Sequence, residues 1–403
     1  METHKMTHVQ FIDTCEVCGN DQLVPVLDLG EQPMCDDLVP IGNPARPTPY
    51  PLKLLGCRRC ITVHQAFQVE KKALFPMDYH YRAALTKDVV DGMRELVQAV
   101  AEQVGSLSGR TVLDIGCNDG SLLSIFGEFG ARTCGVEPTG AAQDAKPKLD
   151  WLHNGFFDAA AVEVYLAENE KPDIITFTNV FAHIEDLNGL ILNLRRLMTP
   201  DTKVVIENHY LGAVVEQAQF DTFYHEHPRT YSFRSFEFIA EKLGGGIEFV
   251  EFPERYNGNI RVIIGTSPAD ATPDIDESDF IAGVAKMPAL VEEGRIKTQE
   301  RLRALVAKHG PLPAKAFPGR AAILMHSLGI DETLIDATYE RSNSPKVGHY
   351  VPGTDIEIRD EAEFFAERMD APVLINFAWH IQPEIERYMR AQGYQGQVLP
   401  IWE

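Results

Sequence analysis

Val112-Leu-Asp-Ile-Gly-Cys-Asn-Asp-Gly120 runs from an apolar stretch through a glycine turn into the helical run Ser121–Phe129. Five residues of strand type, Thr111–Ile115, followed by Gly116 and Gly120, predict a buried strand, a tight turn and a helix. Glycine at 116 and 120 lets the backbone approach a ligand with no Cβ in the way. The run departs from the G-x-G-x-x-G of dinucleotide folds, with Asn118 or Cys117 taking the place of one glycine.

The neighbouring sequence keeps the same rhythm. Upstream, Val89, Met93, Leu96, Val97 and Val100 recur at helical spacing. Downstream, Arg132–Glu137 reads as a second strand ending in Gly135-Val-Glu137-Pro138. A carboxylate about 20 residues beyond the glycine turn suits the paired hydroxyls of a ribose. Asn154-Gly-Phe-Phe-Asp158 supplies an aromatic ring, Phe156, and an acid for an adenine, and Ile174–Thr178 with Asn179 closes the other side. A helix at Leu187–Leu197 and a strand at Lys203–Glu207 extend the alternation, which implies a parallel sheet with helices on both faces. The D-x-G-x-x-x-G core at Asp114, Gly116 and Gly120, with Asn118 and Asp119 between, resembles the first motif of class I methyltransferases. That likeness implies S-adenosylmethionine as cofactor. A nicotinamide dehydrogenase and a noncatalytic relic of the fold are the competing readings, since a fold does not fix a chemistry.

Near the N-terminus, Cys15-x-x-Cys18 and Cys57-x-x-Cys60 account for four of the seven cysteines. Each pair makes a knuckle aiming two thiolates at one point, and two knuckles complete a tetrahedron, so the spacing predicts structural zinc. A redox pair is the rival, but a thioredoxin-type C-x-x-C sits in a βαβ context absent here.

A chain of 403 residues exceeds one ordinary core. We divide it into a zinc-binding segment 1–75, a cofactor-binding segment 76–266 and a C-terminal α/β segment 267–403. The second boundary lies in the Pro- and Asp-rich stretch Thr266–Ser278, before a long helix over Asp279–Lys308. Ala321–Leu324, Glu332–Ala337 and Val373–Asn376 read as strands of the last segment. A formal charge of −22 argues against a nucleic-acid partner, which needs clustered Lys and Arg. No apolar run reaches the roughly 20 residues of a membrane span, and Met1–Asp13 lacks a signal-peptide pattern, so the expected location is cytoplasmic. The sequence does not set the oligomeric state.

Past the strand ending at Glu207 and a helical stretch at Gly212–Phe220 comes Tyr224-His-Glu-His227. A dense group of titratable side chains beyond the strand ends suits proton transfer, and His183 can converge on the same cleft. A second metal on His225, Glu226 and His227 competes with this, as does a purely structural role.

The ordered set Cys15/Cys18/Cys57/Cys60, LDIGCNDGS, GVEP, NVFAHI and YHEH resembles the three-domain sugar C-methyltransferases that build branched-chain deoxysugars. The resemblance spans nearly the whole chain. It implies a zinc domain, a central S-adenosylmethionine domain, and a C-terminal domain that helps hold a nucleotide-linked keto-sugar. It further implies His227 as the base, Tyr224 and Glu226 as residues that orient it or steady the enolate, His183 as a hydrogen-bonding partner, and Tyr79 or Tyr81 as a tyrosine preceding the central domain. Lys346–Thr354 and Ala378-Trp379 match that family, whereas Ala316-Phe-Pro-Gly-Arg-Ala-Ala322 replaces its Tyr-Gly-Ala…Lys-Gly loop and His380 stands where Asn is usual. Transfer to oxygen or nitrogen is the alternative, because the same base serves a hydroxyl equally well.

Overall fold

The computed structural model describes residues 9–402 apart from 76, 78–81, 86, 256–257 and 267–272, so Tyr79, Tyr81 and part of the 266–278 boundary lie outside the described residues. The central sheet grows around Thr111–Ile115, which is paired in parallel on one side with Arg132–Val136 and then Trp151–His153. Ile174–Thr178 and then Lys203–His209 lie on its other side, also parallel. Asn259–Gly265 and Gly246–Glu251 complete the sheet antiparallel. The strand order reverses at Thr111–Ile115, and at such a reversal the crossovers leave to opposite faces and open a crevice at the carboxyl ends. The strands read as nearly continuous apolar runs because helices cover both faces. Helix Lys87–Val104, for example, buries Val89, Met93, Leu96, Val97 and Val100 and keeps Asp88, Asp91 and Glu95 outside.

The N-terminal part is an antiparallel sheet of Leu23–Gln32, Tyr50–Cys57 and Thr62–Gln65. Its fourth strand, Arg229–Thr230, comes from the central part of the chain. The C-terminal part has a parallel sheet of Leu312–Lys315, Ile335–Glu340, Glu357–Asp360, Val373–Asn376 and Gln397–Pro400. His349–Tyr350 extends it antiparallel, and Val39–Pro40 from the N-terminal part adds the last strand. Helix Phe280–His309 buries Ile281, Val284, Met287 and Leu302 in a core shared with Val26, Leu27 and Leu52 of the N-terminal sheet. Among the described residues, no helix is long and apolar enough to cross a membrane.

One element differs in kind from the sequence expectation. Ala321–Leu324 opens a helix, Ala321–Leu328, and is not a strand. That helix is wedged between the C-terminal sheet and the N-terminal core and is buried on almost every side. It therefore carries no polar stripe, and periodicity does not separate such a segment from a buried strand. Smaller shifts have local causes. The strand expected at 332–337 begins at Ile335 because Asp331 accepts from Thr333 and Leu334 in a turn. The strand begun at Lys203 runs two residues past Glu207, to His209.

Candidate active site and metal centre

The glycine turn is a fixed loop. Gly116 and Gly120 have φ of 72° and 77°, where only glycine is unstrained, and Asn118 is also left-handed at 49°. A Cβ on Gly116 would lie 2.7 Å from both methyls of Val180. Glu137 closes the loop, accepting from Asn118 N at 2.9 Å, and from the Thr139 amide and hydroxyl. Both bonds from Thr139 fall on Oε1, so Oε2 is the oxygen that keeps a further lone pair. Asp114 is buried, accepts from Thr176 Oγ1 at 2.7 Å, and is pushed up to about 7 by burial. Asn118 Oδ1 and Asp119 Oδ2 accept from the amides of Ala83 and Ala84, and Asp119 Oδ1 from Ser121, so these two side chains brace the loop against its neighbours. Asn179 is left-handed (φ 54°) at the end of the next strand. Phe156 is half-buried with Lys71 Nζ 5.0 Å from its ring, while Asp158 caps helix Ala159–Glu168 through Ala161 N. At the same edge of the sheet, Thr178 Oγ1 and both amide atoms of Asn208 are buried with no hydrogen-bond partner.

The second group lies where the sequence suggested, beyond the carboxyl ends of two strands. The His227 ring is 4.8 Å from His183, 4.0 Å from Tyr224 and 6.0 Å from His209, centroid to centroid. His227 Nδ1 lies 3.0 Å from Thr222 O. A carbonyl only accepts, so Nδ1 carries the proton and Nε2 of the neutral ring is the acceptor. Burial, then the neighbouring His183 and His209, holds His227 well below the usual imidazole range. Burial also takes His183 down to about 4, and burial with Arg320 and His183 takes His209 down to about 3. The phenol of Tyr224 is held well above its usual range by burial and by the Glu226 carboxylate. The cleft thus presents neutral imidazoles and a protonated phenol. His225 turns the other way, its Nε2 3.3 Å from Tyr50 O. Consistent with this, His225, Glu226 and His227 are not among the groups of described residues whose ligand atoms converge.

The C-terminal part touches this cleft through Arg320. Its guanidinium meets Asp221 (Nε to Oδ2, 2.9 Å), reaches Gln219 Oε1, and lies 5.6 Å from the Trp379 ring. Trp379 Nε1 donates to the same Asp221 oxygen at 2.9 Å. Arg320 is the cation of the altered loop Ala316–Ala322, and the cleft's His380 lies well below its usual range through burial and Arg320.

His209, Asp221 and Asn208 escaped sequence reasoning, and Thr178 was read only as the end of a strand. His209 had a readable signal: two more residues of strand after Glu207 carry it into the cleft. Asp221 had none, because its partner is 99 positions away.

The four cysteines converge as predicted. Their sulfurs all lie within 4.8 Å of one another, with Cys15–Cys60 at 3.4 Å and Cys18–Cys57 at 3.5 Å. A tetrahedron with Zn–S of about 2.3 Å has edges of about 3.8 Å, so the donor set fits zinc and leaves no open position. Further out, His64 Nε2 is 3.2 Å from Cys15 Sγ and Thr62 Oγ1 is 3.1 Å from Cys60 Sγ. Glu16 is lowered to about 2, since Arg229, His64 and Gln68 together outweigh the opposing effect of burial.

Family models match three successive parts of the chain: a zinc binding domain at 15–75, a methyltransferase domain at 84–245, and a C-methyltransferase C-terminal domain at 281–400. The chain belongs to the three-domain, S-adenosylmethionine-dependent C-methyltransferases, with a Rossmann-like centre between a small zinc-binding domain and a C-terminal α/β domain. Among its relatives is the C-methyltransferase NovU of Streptomyces niveus, 26% identical over 393 residues, which covers 94% of this chain and 92% of NovU. An uncharacterized methyltransferase of Mycobacteroides abscessus is 30% identical over 193 residues, 42% of this chain and 70% of that one. Among solved structures, magnesium protoporphyrin IX methyltransferase of Synechocystis PCC 6803 aligns at 19% identity with a TM-score of 0.35, over 44% of this chain and 85% of that one.

Proposed function

We propose that the enzyme methylates the carbon beside the ketone of a nucleotide-linked keto-sugar, with His227 as the base. The observation that carries this reading is the neutral His227 ring, anchored through Nδ1 on Thr222 and flanked by His183, His209 and Tyr224 beyond the cofactor strands. Nε2 then has a lone pair for a proton alpha to a carbonyl. The Tyr224 hydroxyl and His183 are donors for the negative charge that develops on the ketone oxygen as that proton leaves. Glu226 is buried and acts on the Tyr224 phenol, keeping it protonated as a donor. S-adenosylmethionine, when bound, supplies an electrophilic methyl for the enolate carbon.

The residues that would hold the cofactor are Gly116, Asn118 and Gly120 of the turn, braced by Asp114 and Asp119. Glu137 would face the ribose, Phe156 the adenine and Asn179 the methionine end. The buried, unpartnered polar atoms of Thr178 and Asn208 at the same edge fit a polar ligand there. The segments 1–75, 76–266 and 267–403 divide these roles as zinc scaffold, cofactor domain and sugar-holding domain.

The test is incubation with methyl-labelled cofactor and a panel of nucleotide-linked keto-sugars and their alcohols. Label on a carbon next to the ketone is the expected result, together with exchange of the alpha proton into deuterated solvent that His227→Ala lacks. Label on oxygen or nitrogen, or exchange that survives without His227, would overturn the reading.

A further inference from the structure

We infer that Gln65 is a positioning residue for the catalytic turn, through which the zinc domain fixes where His227 stands; this rests on the reading of His227 as base. Gln65 ends the strand Thr62–Gln65, which follows Cys60 of the second knuckle after a single residue. Its side chain is buried, and its Nε2 donates both to Tyr224 O (2.6 Å) and to His227 O (2.9 Å). Its own backbone amide donates to Pro228 O at 2.9 Å. Three hydrogen bonds from one residue therefore tie down the first and last carbonyls of Tyr-His-Glu-His and the one after them.

Both of the amide's N–H bonds are used on carbonyls, whereas Gln65 Oε1 is buried without a partner. The side chain thus satisfies the turn in preference to itself. Other residue types do not reproduce the contact. An ionised glutamate has no donor, asparagine is one methylene too short, and lysine would bring a charge beside neutral imidazoles. Thr222 O sets the rotation of the His227 ring, while Gln65 sets the main chain from which that ring hangs. The strand behind Gln65 is itself held at both ends. His64 pairs with Arg229 across the sheet and contacts Cys15 Sγ, and Thr62 contacts Cys60 Sγ. Ile61 and one four-residue strand thus join the second knuckle to the side chain that holds His227 O.

The test compares Gln65→Met, which keeps the size and removes the donors, with Gln68→Met. The latter deletes a bond of the same kind, to Glu16, from the adjoining strand Phe67–Val69. Three quantities are read in each full-length variant: kcat and KM, backbone deuterium uptake of residues 220–230, and zinc content. For Gln65→Met we expect kcat to fall roughly 10- to 100-fold, as displacements of about an ångström do. Its KM, its cofactor affinity and its zinc content should stay unchanged, while uptake at 220–230 rises. Gln68→Met should show none of these changes. Wild-type uptake in Gln65→Met, raised uptake with unchanged kcat, or equal losses in the two variants would each overturn the inference. Failure of the C-methylation reading is distinct: wild type itself would then methylate no ketone, and the uptake of the turn would still decide what Gln65 holds.

Discussion

Asp221 receives the guanidinium of Arg320 edge-on, with Nε 2.9 Å from Oδ2 and both residues buried. Asp221 stands one residue before Thr222, whose carbonyl holds the His227 ring. The C-terminal part thus grips the turn that carries His227 from one side while Gln65 of the zinc domain grips it from the other.

Removing one member of this pair leaves the other charged and dry. Arg320→Met should destabilise the protein by about 3 kcal/mol in urea denaturation. Adding Asp221→Asn should recover part of that loss, because the stranded charge is gone. Equal losses in the single and double variants would show that the pair itself contributes nothing.

His227→Ala should lower turnover by roughly 100- to 10,000-fold, the range of a lost general base. Its cofactor affinity by calorimetry should match wild type, because the glycine turn owes nothing to residue 227. A variant that keeps near wild-type rate would remove His227 from the mechanism.

Stability should fall on mild acidification. Burial lowers His225 to about 4 and holds His227 well below the usual range, while unfolded imidazoles titrate near about 6.5. Below that pH the unfolded chain takes up protons that the folded chain refuses, so each of these two rings removes stability at about 1.4 kcal/mol per pH unit until its folded value is reached. Above about 6.5 neither ring contributes. Unfolding midpoints measured from pH 7.5 to 4.5 check this; a flat profile would mean that the rings become charged inside the fold.

Gly116→Ala places a side chain at a φ of 72° and a methyl 2.7 Å from Val180. The backbone strain alone costs about 1–3 kcal/mol, and the loop should bind cofactor more weakly. Adding Val180→Ala should relieve the clash but not the strain, giving partial recovery of the thermal midpoint. Full recovery would mean that packing alone reserves this position for glycine.

Elemental analysis should find about one zinc per chain, since four thiolates close the shell. Cys60→Ser should lower that stoichiometry and the thermal midpoint together. Metal-free protein with an unchanged midpoint would reject a structural role.

The four parallel strands Thr111–Ile115, Arg132–Val136, Ile174–Thr178 and Lys203–His209 were legible because they are apolar and alternate with helices, and because glycine at 116 and 120 has a conformational reason. Trp151–His153 and the antiparallel pair Gly246–Glu251 and Asn259–Gly265 escaped the sequence reading. The cysteine tetrahedron was legible because two knuckles are short-range patterns. The rest depended on long-range juxtaposition. His225 and His227 are two positions apart, yet one faces Tyr50 and the other His183, which adjacency in sequence does not reveal. The helix Ala321–Leu328 is buried except at His326 and Ser327, too little exposed surface from which to read a period. Arg320 and Gln65 gain their meaning from partners 99 and 162 positions away.

Two of the two-residue strands have a consequence for how the polypeptide matures. Val39–Pro40 finishes a sheet made by the last quarter of the chain, and Arg229–Thr230 finishes one begun by the first. As the nascent chain leaves the ribosome, its zinc-bearing head waits for residue 230 before its open edge is covered. The tail, in turn, closes on a segment made some three hundred residues earlier. Metal capture can come early, but the cleft around His227 is closed only once Arg320 and Trp379 have been made.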